Sequence, residues 1–266
     1  MSAGADVAVV LGRAPSSASL LPAVLERLRA DGHRVAVHVV GDGPPPASVA
    51  AADLVVLRAL GLAALDALAP LEARGVRCCN TVAATRAARD KTLAGPLLAR
   101  AGLPLPATAP AATWDEVRAV ARGRAVVVKA AAGSRGKGIL HTEDPPAQAP
   151  FPGPYVVEER VPHDGTDRKI FVAGGHVAGV LRPWPPRTLE DKRGRAFAVD
   201  GDLRELALAA GAALGLELYG ADVVVGPDGP VLVDVNAFPG FKGVPEAPEW
   251  IAGHLCGLAR TEAGVT

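Results

Sequence analysis

The most restrictive feature of this sequence is a pair of apolar segments in its C-terminal third that a short turn joins. Residues 222–225 and 231–235 have the composition of buried strands, and Pro227-Asp228-Gly229 between them is typical of a turn. The two segments therefore predict an antiparallel hairpin.

Three oxygen-bearing side chains are set into this predicted hairpin. Asp234 and Asn236 are two residues apart and share one face of the second strand, and cross-strand pairing can bring Asp222 to that face. Oxygen ligands without Cys or His suit Mg²⁺, which keeps several waters and is commonly shared with phosphates. The alternative interpretation is that Asp222 caps a turn and Asp234 is a charge at a strand edge. Asn236 is one of only two asparagines, so we favour the metal site.

The composition argues against two classes of binding partner and shows that lysine is rare in this chain. The 28 basic and 28 acidic residues give a net charge of zero, which argues against nucleic acid and against an anionic membrane. Only six of the basic residues are lysines, and lysine, a compact point charge, does not replace arginine at a tight site. The six are Lys91, Lys129, Lys137, Lys169, Lys192 and Lys242.

The first 82 residues alternate strand and helix. Strand-type segments at 7–11, 35–40 and 54–57 alternate with helical spacing at 19–29 and 62–74, which predicts a small parallel sheet. The GxGxxG fingerprint is missing, which argues against dinucleotide binding there. A boundary near residue 82 separates this lobe from residues 83–266.

The second part mixes helices with short strands. We predict one helix over 86–101, a loop over 142–154 and a mobile loop over 183–195. Further strands are expected at 125–129, 139–141, 155–161, 169–173 and 176–181, with helices at 203–214 and 248–258. We place a central lobe at about 104–157 and a C-terminal lobe at about 158–260.

A glycine-rich loop follows the strand that ends at Lys129. Gly133, Gly136 and Gly138 allow backbone N–H groups to point at an anion. The loop is not a Walker P-loop, because Gly138 follows Lys137 and the chain continues as a strand. Such a loop between antiparallel strands covers a nucleotide triphosphate; the alternative is a plain hairpin turn.

The segment after residue 155 has the pattern of a nucleotide-edge strand. A strand that runs into a bend offers a backbone C=O and N–H to an adenine edge, and a carboxylate a few residues later can accept both ribose hydroxyls. Alternatively, Glu158 and Glu159 are solvated charges at a strand end.

These elements, in this order, resemble the ATP-grasp superfamily over about residues 80–258. The likeness rests on VVVKAAAGSRGKGI, on VVEERV with DGTDRKIFV, on GADVVV with VLVDVNAFPGF, and on an entry segment in which Asn80 precedes Arg-Asp-Lys and Gly-Leu-Pro-x-Pro. Within the superfamily the chain is most similar to the RimK-type amino-acid ligases, with some likeness to the inositol-phosphate kinase branch. The implied fold is α/β (α+β): a small parallel N-terminal lobe and two α+β lobes that hold ATP between antiparallel sheets.

The resemblance implies a role for each matching residue. Lys91 and Lys129 match the lysines that hold the ATP phosphates, and Lys169 and Arg182 match basic residues that face the transferred phosphate. Asp222, Asp234 and Asn236 match the Mg²⁺ ligands, although the family commonly has Glu at the position of Asp234. The implied nucleotide contacts are Gly133, Ser134, Gly136, Lys137 and Gly138 in the lid, Glu158, Glu159 and Val161 at the adenine edge, and Asp167 at the ribose.

The implied activity is ATP- and Mg²⁺-dependent joining of a carboxylate to an amine through an acyl phosphate, with two Mg²⁺ ions or Mn²⁺. Glutamate or another amino acid is the expected addition. The alternatives are a small-molecule kinase, which the basic residues of 183–195 also suit, and a nucleotide-binding module without catalysis. We expect a small-molecule or peptide carboxylate, an amine acceptor and a homodimer.

The three cysteines, Cys78, Cys79 and Cys256, have no metal-ligand spacing and suit a reducing cytoplasm. No apolar stretch qualifies as a membrane span, and no basic residue precedes the first apolar run as in a signal peptide. We therefore expect a cytoplasmic protein.

Overall fold

The N-terminal part forms a parallel sheet, as predicted. The computed structural model describes residues 4–132 and 138–260. The sheet has the strand order β2-β1-β3-β4, and every neighbouring pair is parallel. Its elements are β1 (Asp6–Leu11), α1 (Leu21–Ala30), β2 (Arg34–Val39), β3 (Leu54–Arg58), α2 (Leu62–Ala73) and β4 (Cys78–Cys79). Strand β4 was not predicted because two residues carry no periodicity.

The predicted single helix over 86–101 is wrong, because two helices occupy this part of the chain. Helix α3 spans Val82–Arg89 and helix α4 spans Lys91–Arg100. Asp90 between them is extended, with φ −101° and ψ 108°, and its carboxylate accepts from the N–H of Thr92 at 2.9 Å. A side chain that caps the following helix competes with helix continuation. The break leaves Lys91 as the first residue of α4.

A four-stranded antiparallel sheet follows, with the order β5-β8-β6-β7. Its strands are β5 (Thr108–Ala111), β6 (Val126–Ala130), β7 (Ile139–Thr142) and β8 (Tyr155–Glu159), and helix α5 is Trp114–Ala121. Trp114 packs against Tyr155 with ring centroids 5.3 Å apart, so this sheet has its own small core. Strand β5 and helix α5 were not predicted. Residues 143–154 contain no helix or strand, in agreement with the predicted loop.

The C-terminal sheet has five antiparallel strands in the order β11-β10-β9-β12-β13. They are β9 (Thr166–Ala173), β10 (His176–Pro183), β11 (Arg195–Phe197), β12 (Leu218–Gly226) and β13 (Gly229–Ala237), with helices α6 (Leu189–Arg193), α7 (Gly201–Leu214) and α8 (Ala247–Arg260). The predicted β12–β13 hairpin is confirmed. The predicted loop over 183–195 contains α6, because Thr188 and Asp191 form a capping box around its first turn.

The parallel sheet and the C-terminal sheet share one hydrophobic core. Val9 of β1, Val24 of α1, Phe171 of β9 and Ile251 of α8 are buried in the same cluster. The buried Asn80 joins the two parts by hydrogen bonds with Glu217 and Leu218. In the described part of the chain, no helix has both the length and the hydropathy that a membrane crossing requires.

Candidate active site

The β12–β13 hairpin brings its three oxygen-bearing side chains together, as the spacing predicted. Asp222 lies directly opposite Asp234 in the strand register. The Asn236 amide nitrogen donates to Asp222 Oδ2 at 3.1 Å and to Asp234 Oδ2 at 3.2 Å. A cation between the carboxylates would instead be bound by the amide oxygen, so the Asn236 amide would have to turn over. The donor set then consists only of oxygen, as Mg²⁺ prefers.

Strand register extends this cluster across the sheet. Lys169 on β9 lies opposite Asp222 on β12, and Arg182 on β10 lies opposite Asp167 on β9. The Lys169 ammonium is 2.6 Å from Asp222 Oδ2, and the Arg182 guanidinium is 2.8 Å from Asp222 Oδ1 and is also paired with Asp167. Four adjacent strands therefore present both cations and carboxylates on one surface.

The break between α3 and α4 positions Lys91 against this surface. The Lys91 backbone N–H donates to the carbonyl of Ala131 at 2.9 Å, and its ammonium is 2.5 Å from Asp234 Oδ1. Burial disfavours the charged form of both side chains, but the attraction between their opposite charges outweighs it. Lys91 and Lys129 lower the pKa of Asp234 to about 2, and Asp234 raises the pKa of Lys91. This pair is therefore charged at neutral pH.

Asp167 differs from the other carboxylates of the cluster. Its side chain is only 4% exposed. Burial, with the charge of Asp222 added, raises the pKa of Asp167 to about 6 despite the nearby Arg182 and Lys169. Asp167, the predicted ribose ligand, pairs with Arg182 through Oδ2, and its Oδ1 is buried without a hydrogen-bond partner among the described residues.

Lys129 links the central sheet to the C-terminal sheet. Its ammonium is 2.6 Å from Glu158 Oε2 on the neighbouring strand β8, and it donates to the carbonyl of Val233 on β13 at 2.8 Å. The cleft between the two antiparallel sheets is therefore lined by Lys129 and Glu158 on one side and by the carboxylate hairpin on the other.

The chain at the end of β8 has a backbone N–H that could donate to an adenine edge. The N–H of Glu159 is already bonded to the carbonyl of Ala107 at 2.8 Å. The N–H of Val161 has no acceptor among the described residues. Of the two predicted adenine-edge residues, Val161 is therefore the one with an available N–H.

Gly138 is the last residue of the glycine-rich loop and the first one that the structure describes after residue 132. Its φ is +73°, its carbonyl accepts from the N–H of Ala130 at 2.7 Å, and a Cβ there would lie 2.8 Å from the Ala130 Cβ. Only glycine fits this position. The other predicted lid residues, Gly133, Ser134, Gly136 and Lys137, lie outside the described residues.

A small cavity beside Lys91 was not predicted. Its volume is about 60 Å³, and two of its polar atoms, Thr85 Oγ1 and Arg89 Nε, are buried without a hydrogen-bond partner among the described residues. Arg89 belongs to the Arg-Asp-Lys segment, so this segment is the sequence feature that could have pointed to the cavity. The lining residues are Ala59, Leu60, Thr85, Ala88, Arg89, Lys91, Asn236 and Ala237.

Comparison with known proteins identifies related sequences. A family model described as the RimK-like ATP-grasp domain matches residues 88–249. A probable alpha-L-glutamate ligase 2 of Hahella chejuensis is 32% identical over 68% of this chain and 65% of its own length. A probable alpha-L-glutamate ligase of Parasynechococcus marenigrum is 28% identical over 66% of this chain. The match spans 41% of that relative's length, so this chain corresponds to only part of it.

Comparison with solved structures identifies the fold as ATP-grasp. The RimK domain ATP-grasp protein of Sphaerobacter thermophilus superposes with a TM-score of 0.73 at 23% identity, covering 96% of this chain and 99% of that one. The D-cycloserine synthetase DcsG superposes with a TM-score of 0.72 at 20% identity, covering 96% of this chain and 100% of that one. The predicted fold class is thus confirmed.

Proposed function

This chain belongs to the RimK-like ATP-grasp family, and we propose that it is an ATP- and Mg²⁺-dependent carboxylate–amine ligase. One observation carries the proposal: the hairpin carboxylates Asp222 and Asp234 meet Lys169, Arg182 and Lys91 in a single cluster. Two antiparallel sheets enclose this cluster, in a fold whose solved examples include the D-cycloserine synthetase DcsG. The named sequence relatives are also ligases.

The charges of the cluster suit a nucleotide with its metal. The carboxylates of Asp167, Asp222, Asp234 and Glu158 pair with the cations of Lys91, Lys129, Lys169 and Arg182. Because the cations are already balanced, they become available to phosphates only when another cation takes over the carboxylates. Asp222, Asp234 and the Asn236 amide would hold Mg²⁺ or Mn²⁺, and two ions are our expectation. The metal would neutralise charge on the transferred phosphate.

The nucleotide would lie between the central and C-terminal sheets. In this arrangement the N–H of Val161 and the carbonyl of Glu159 meet the adenine edge, and Glu158 lies beside it. Lys91 and Lys129 hold the phosphates. Asp167 pairs with Arg182 through Oδ2 and has a buried, unpaired Oδ1 among the described residues, so we expect its anchoring of Arg182 to matter at least as much as a ribose contact.

The cavity beside Lys91 suits the carboxylate that is to be activated. Arg89 provides a partly buried cation whose buried Nε has no hydrogen-bond partner among the described residues, and the hydroxyl oxygen of Thr85 likewise has none. A buried, unpaired donor is costly unless a ligand satisfies it. The cavity also borders Lys91 and Asn236, so a carboxylate held there lies next to the proposed phosphate and metal positions.

The proposed reaction has two steps. A carboxylate oxygen attacks the γ-phosphorus of ATP, and ADP leaves with its bonding electrons, which gives an acyl phosphate. The amine then attacks the acyl carbon, and phosphate leaves as the amide forms and a proton is released. Lys169 and Arg182 stabilise the charge on the transferred phosphoryl group and then on the tetrahedral oxyanion. Burial of the cluster excludes water from the acyl phosphate.

The relatives' names suggest glutamate as the added amino acid and a small molecule or peptide as the acceptor. We further expect a homodimer and a cytoplasmic enzyme. The kinase alternative predicts that phosphate stays on the product. The relatives named as ligases favour the ligase over the kinase.

The deciding experiment measures ATP turnover by the purified protein with Mg²⁺ in pools of amino acids and carboxylates, with ADP and free phosphate read separately. A ligase releases both in an acceptor-dependent manner, and hydroxylamine traps its acyl phosphate as a hydroxamate. ADP without free phosphate would establish a kinase. Turnover that no acceptor stimulates would refute both reactions.

A matched pair of variants tests the site itself. Asp234→Ala should abolish turnover while the protein stays folded. Asp228→Ala, at the exposed tip of the same hairpin, should leave turnover unchanged. Near-normal activity of Asp234→Ala would show that the metal assignment is wrong.

A further inference from the structure

A second cluster of metal-ligating groups lies where the parallel sheet meets the C-terminal sheet. Cys79 at the end of β4, Glu217 just before β12 and His254 on α8 each contribute one ligand atom, and these atoms all lie within 4.8 Å of one another. Glu217 precedes Asp222 by five residues, or about 16 Å along an extended strand. The cluster is therefore separate from the proposed active site.

The His254 and Glu217 side chains are in close contact but are poorly aligned for a hydrogen bond. His254 Nε2 lies 2.9 Å from Glu217 Oε2, within ion-pair distance, yet the buried nitrogen is not aligned for a hydrogen bond and has no hydrogen-bond partner among the described residues. Buried imidazole nitrogens are normally satisfied. A nitrogen and an oxygen that are close but not aligned for a hydrogen bond can both bind a cation placed between them.

The surrounding backbone holds these side chains in place. The Asn80 side chain, next to Cys79, accepts from the N–H of Glu217 at 2.7 Å. Gly174 makes room for the imidazole, because a Cβ at that position would lie 2.8 Å from His254 Nδ1. Ligands held in position by other interactions lose less conformational entropy when they bind a metal.

We propose that Cys79, Glu217 and His254 bind a zinc ion. Thiolate, imidazole and carboxylate are the zinc ligands of proteins, and their bonds of about 2.0–2.3 Å require ligand atoms that are mutually close, as they are here. Three protein ligands leave the fourth tetrahedral position to water. The Glu217 side chain is 39% exposed and that of His254 is 18% exposed, so the cluster has a solvent side from which an ion can enter.

The charges around the cluster are compatible with a divalent cation. Zinc would be balanced by the Glu217 carboxylate and a Cys79 thiolate, with a neutral His254. The contact with His254 lowers the pKa of Glu217 although burial opposes this, and the charge of the nearby Arg77 lowers it further. The Arg77 guanidinium donates to the carbonyl of Leu258 at 2.7 Å, which holds it at the end of α8. Burial raises the pKa of Cys79 well above its ordinary value, so the metal-free thiol is a poor target for oxidation.

The position of the cluster suggests a structural role. Its ligands come from the parallel sheet, from the strand that continues into the proposed magnesium site and from the last helix. A bound ion would cross-link these three elements and stabilise the folded state, since the unfolded chain has no preformed site. This inference does not depend on the proposed reaction.

The test uses metal binding rather than activity. The full-length protein is stripped with a chelator and titrated with Co²⁺ in excess Mg²⁺, and its zinc content is measured after reconstitution and desalting. We expect one zinc per chain and a near-ultraviolet thiolate-to-cobalt absorption band. Glu217→Gln and His254→Gln should weaken Co²⁺ binding at least tenfold, and Cys79→Ser should abolish the band.

Matched cysteine variants distinguish this site from its neighbours. Cys78→Ser and Cys256→Ser should keep the band, and so should Asp234→Ala, because the hairpin site has no thiolate. The partly exposed His254 keeps the test informative even if Cys79→Ser does not fold. No band in the wild-type protein, a band that survives Cys79→Ser, or a band lost with Asp234→Ala would each overturn the proposal.

Discussion

Replacing Asn80 by alanine should cost several kcal/mol of stability without touching the reaction chemistry. Asn80 is fully buried. Its amide oxygen accepts from the N–H of Glu217 at 2.7 Å and from the N–H of Leu218 at 2.9 Å, and its amide nitrogen donates to the Leu218 carbonyl at 2.8 Å. That carbonyl also accepts from the N–H of Phe238 at 2.7 Å and would keep this partner.

The magnitude follows from the two N–H groups that Asn80→Ala leaves unpaired. Each buried orphan donor costs about 1–3 kcal/mol, so the free energy of unfolding should fall by about 2–6 kcal/mol. Such a loss is a large fraction of the roughly 5–15 kcal/mol that stabilises a typical protein. In a chain of this length it corresponds to roughly 4–11 °C in Tm.

The assay is urea denaturation followed by circular dichroism, with turnover measured well below the Tm. The other asparagine provides the matched control. Asn236→Ala should change the free energy of unfolding by less than about 1 kcal/mol, because its partly exposed amide bridges two carboxylates that have other partners. It should nevertheless lose most of its turnover.

Two results would refute this reasoning. A loss below about 1 kcal/mol for Asn80→Ala would show that the Glu217 and Leu218 N–H groups find other acceptors. Equal stability losses in both variants would show that the asparagines do not divide into a structural and a functional residue.

Three further predictions concern the charged cluster. Folded Asp167, with a pKa of about 6 against an ordinary value of 3.8, binds more protons than the unfolded chain between these values, so its contribution to stability falls by roughly 3 kcal/mol as pH rises from about 4 to 6. Asp167→Asn should remove that slope from urea midpoints measured across this range, and an unchanged slope would contradict the assignment. Lys129→Met should raise the Kd for a non-hydrolysable ATP analogue about 10- to 100-fold by calorimetry, since a charge-assisted hydrogen bond contributes about 1.5–3 kcal/mol; unaltered affinity would remove Lys129 from the phosphate site. Arg182→Lys keeps the charge but loses the fork that pairs with two carboxylates, so kcat should fall about 100-fold with little change in the KM for ATP. A raised KM with normal kcat would instead make Arg182 a binding residue.

The sequence was most informative where function depends on short-range pattern. Asp234 and Asn236 share a strand face because side chains alternate, and the turn before them sets the hairpin that brings in Asp222. The scarcity of lysine directed attention to six lysines, of which Lys91, Lys129 and Lys169 lie in the charged cluster. The same scarcity of asparagine singled out Asn236 but equally marks Asn80, which holds two parts of the fold together.

Errors in the prediction arose where a local competition decides the structure. Helical spacing continues through residues 86–101, yet Asp90 ends one helix because its side chain caps the next one. Only that break places Lys91 at the start of α4, with its ammonium on Asp234. The two-residue strand β4 is too short to carry a pattern, and it exists because the neighbouring β3 provides its hydrogen-bond partners.

By itself, the sequence determined the order of the strands and helices along most of the chain, the hairpin and the oxygen-bearing side chains that the hairpin brings together, because each depends on residues close together in the chain. Only the tertiary structure decided which charges meet. The pairing of Arg182 with Asp167, the contact of Lys129 with Val233 and the convergence of Cys79, Glu217 and His254 all join different elements. Their geometry depends on sheet register and on packing between lobes, and neither can be read from residue spacing along a single chain segment.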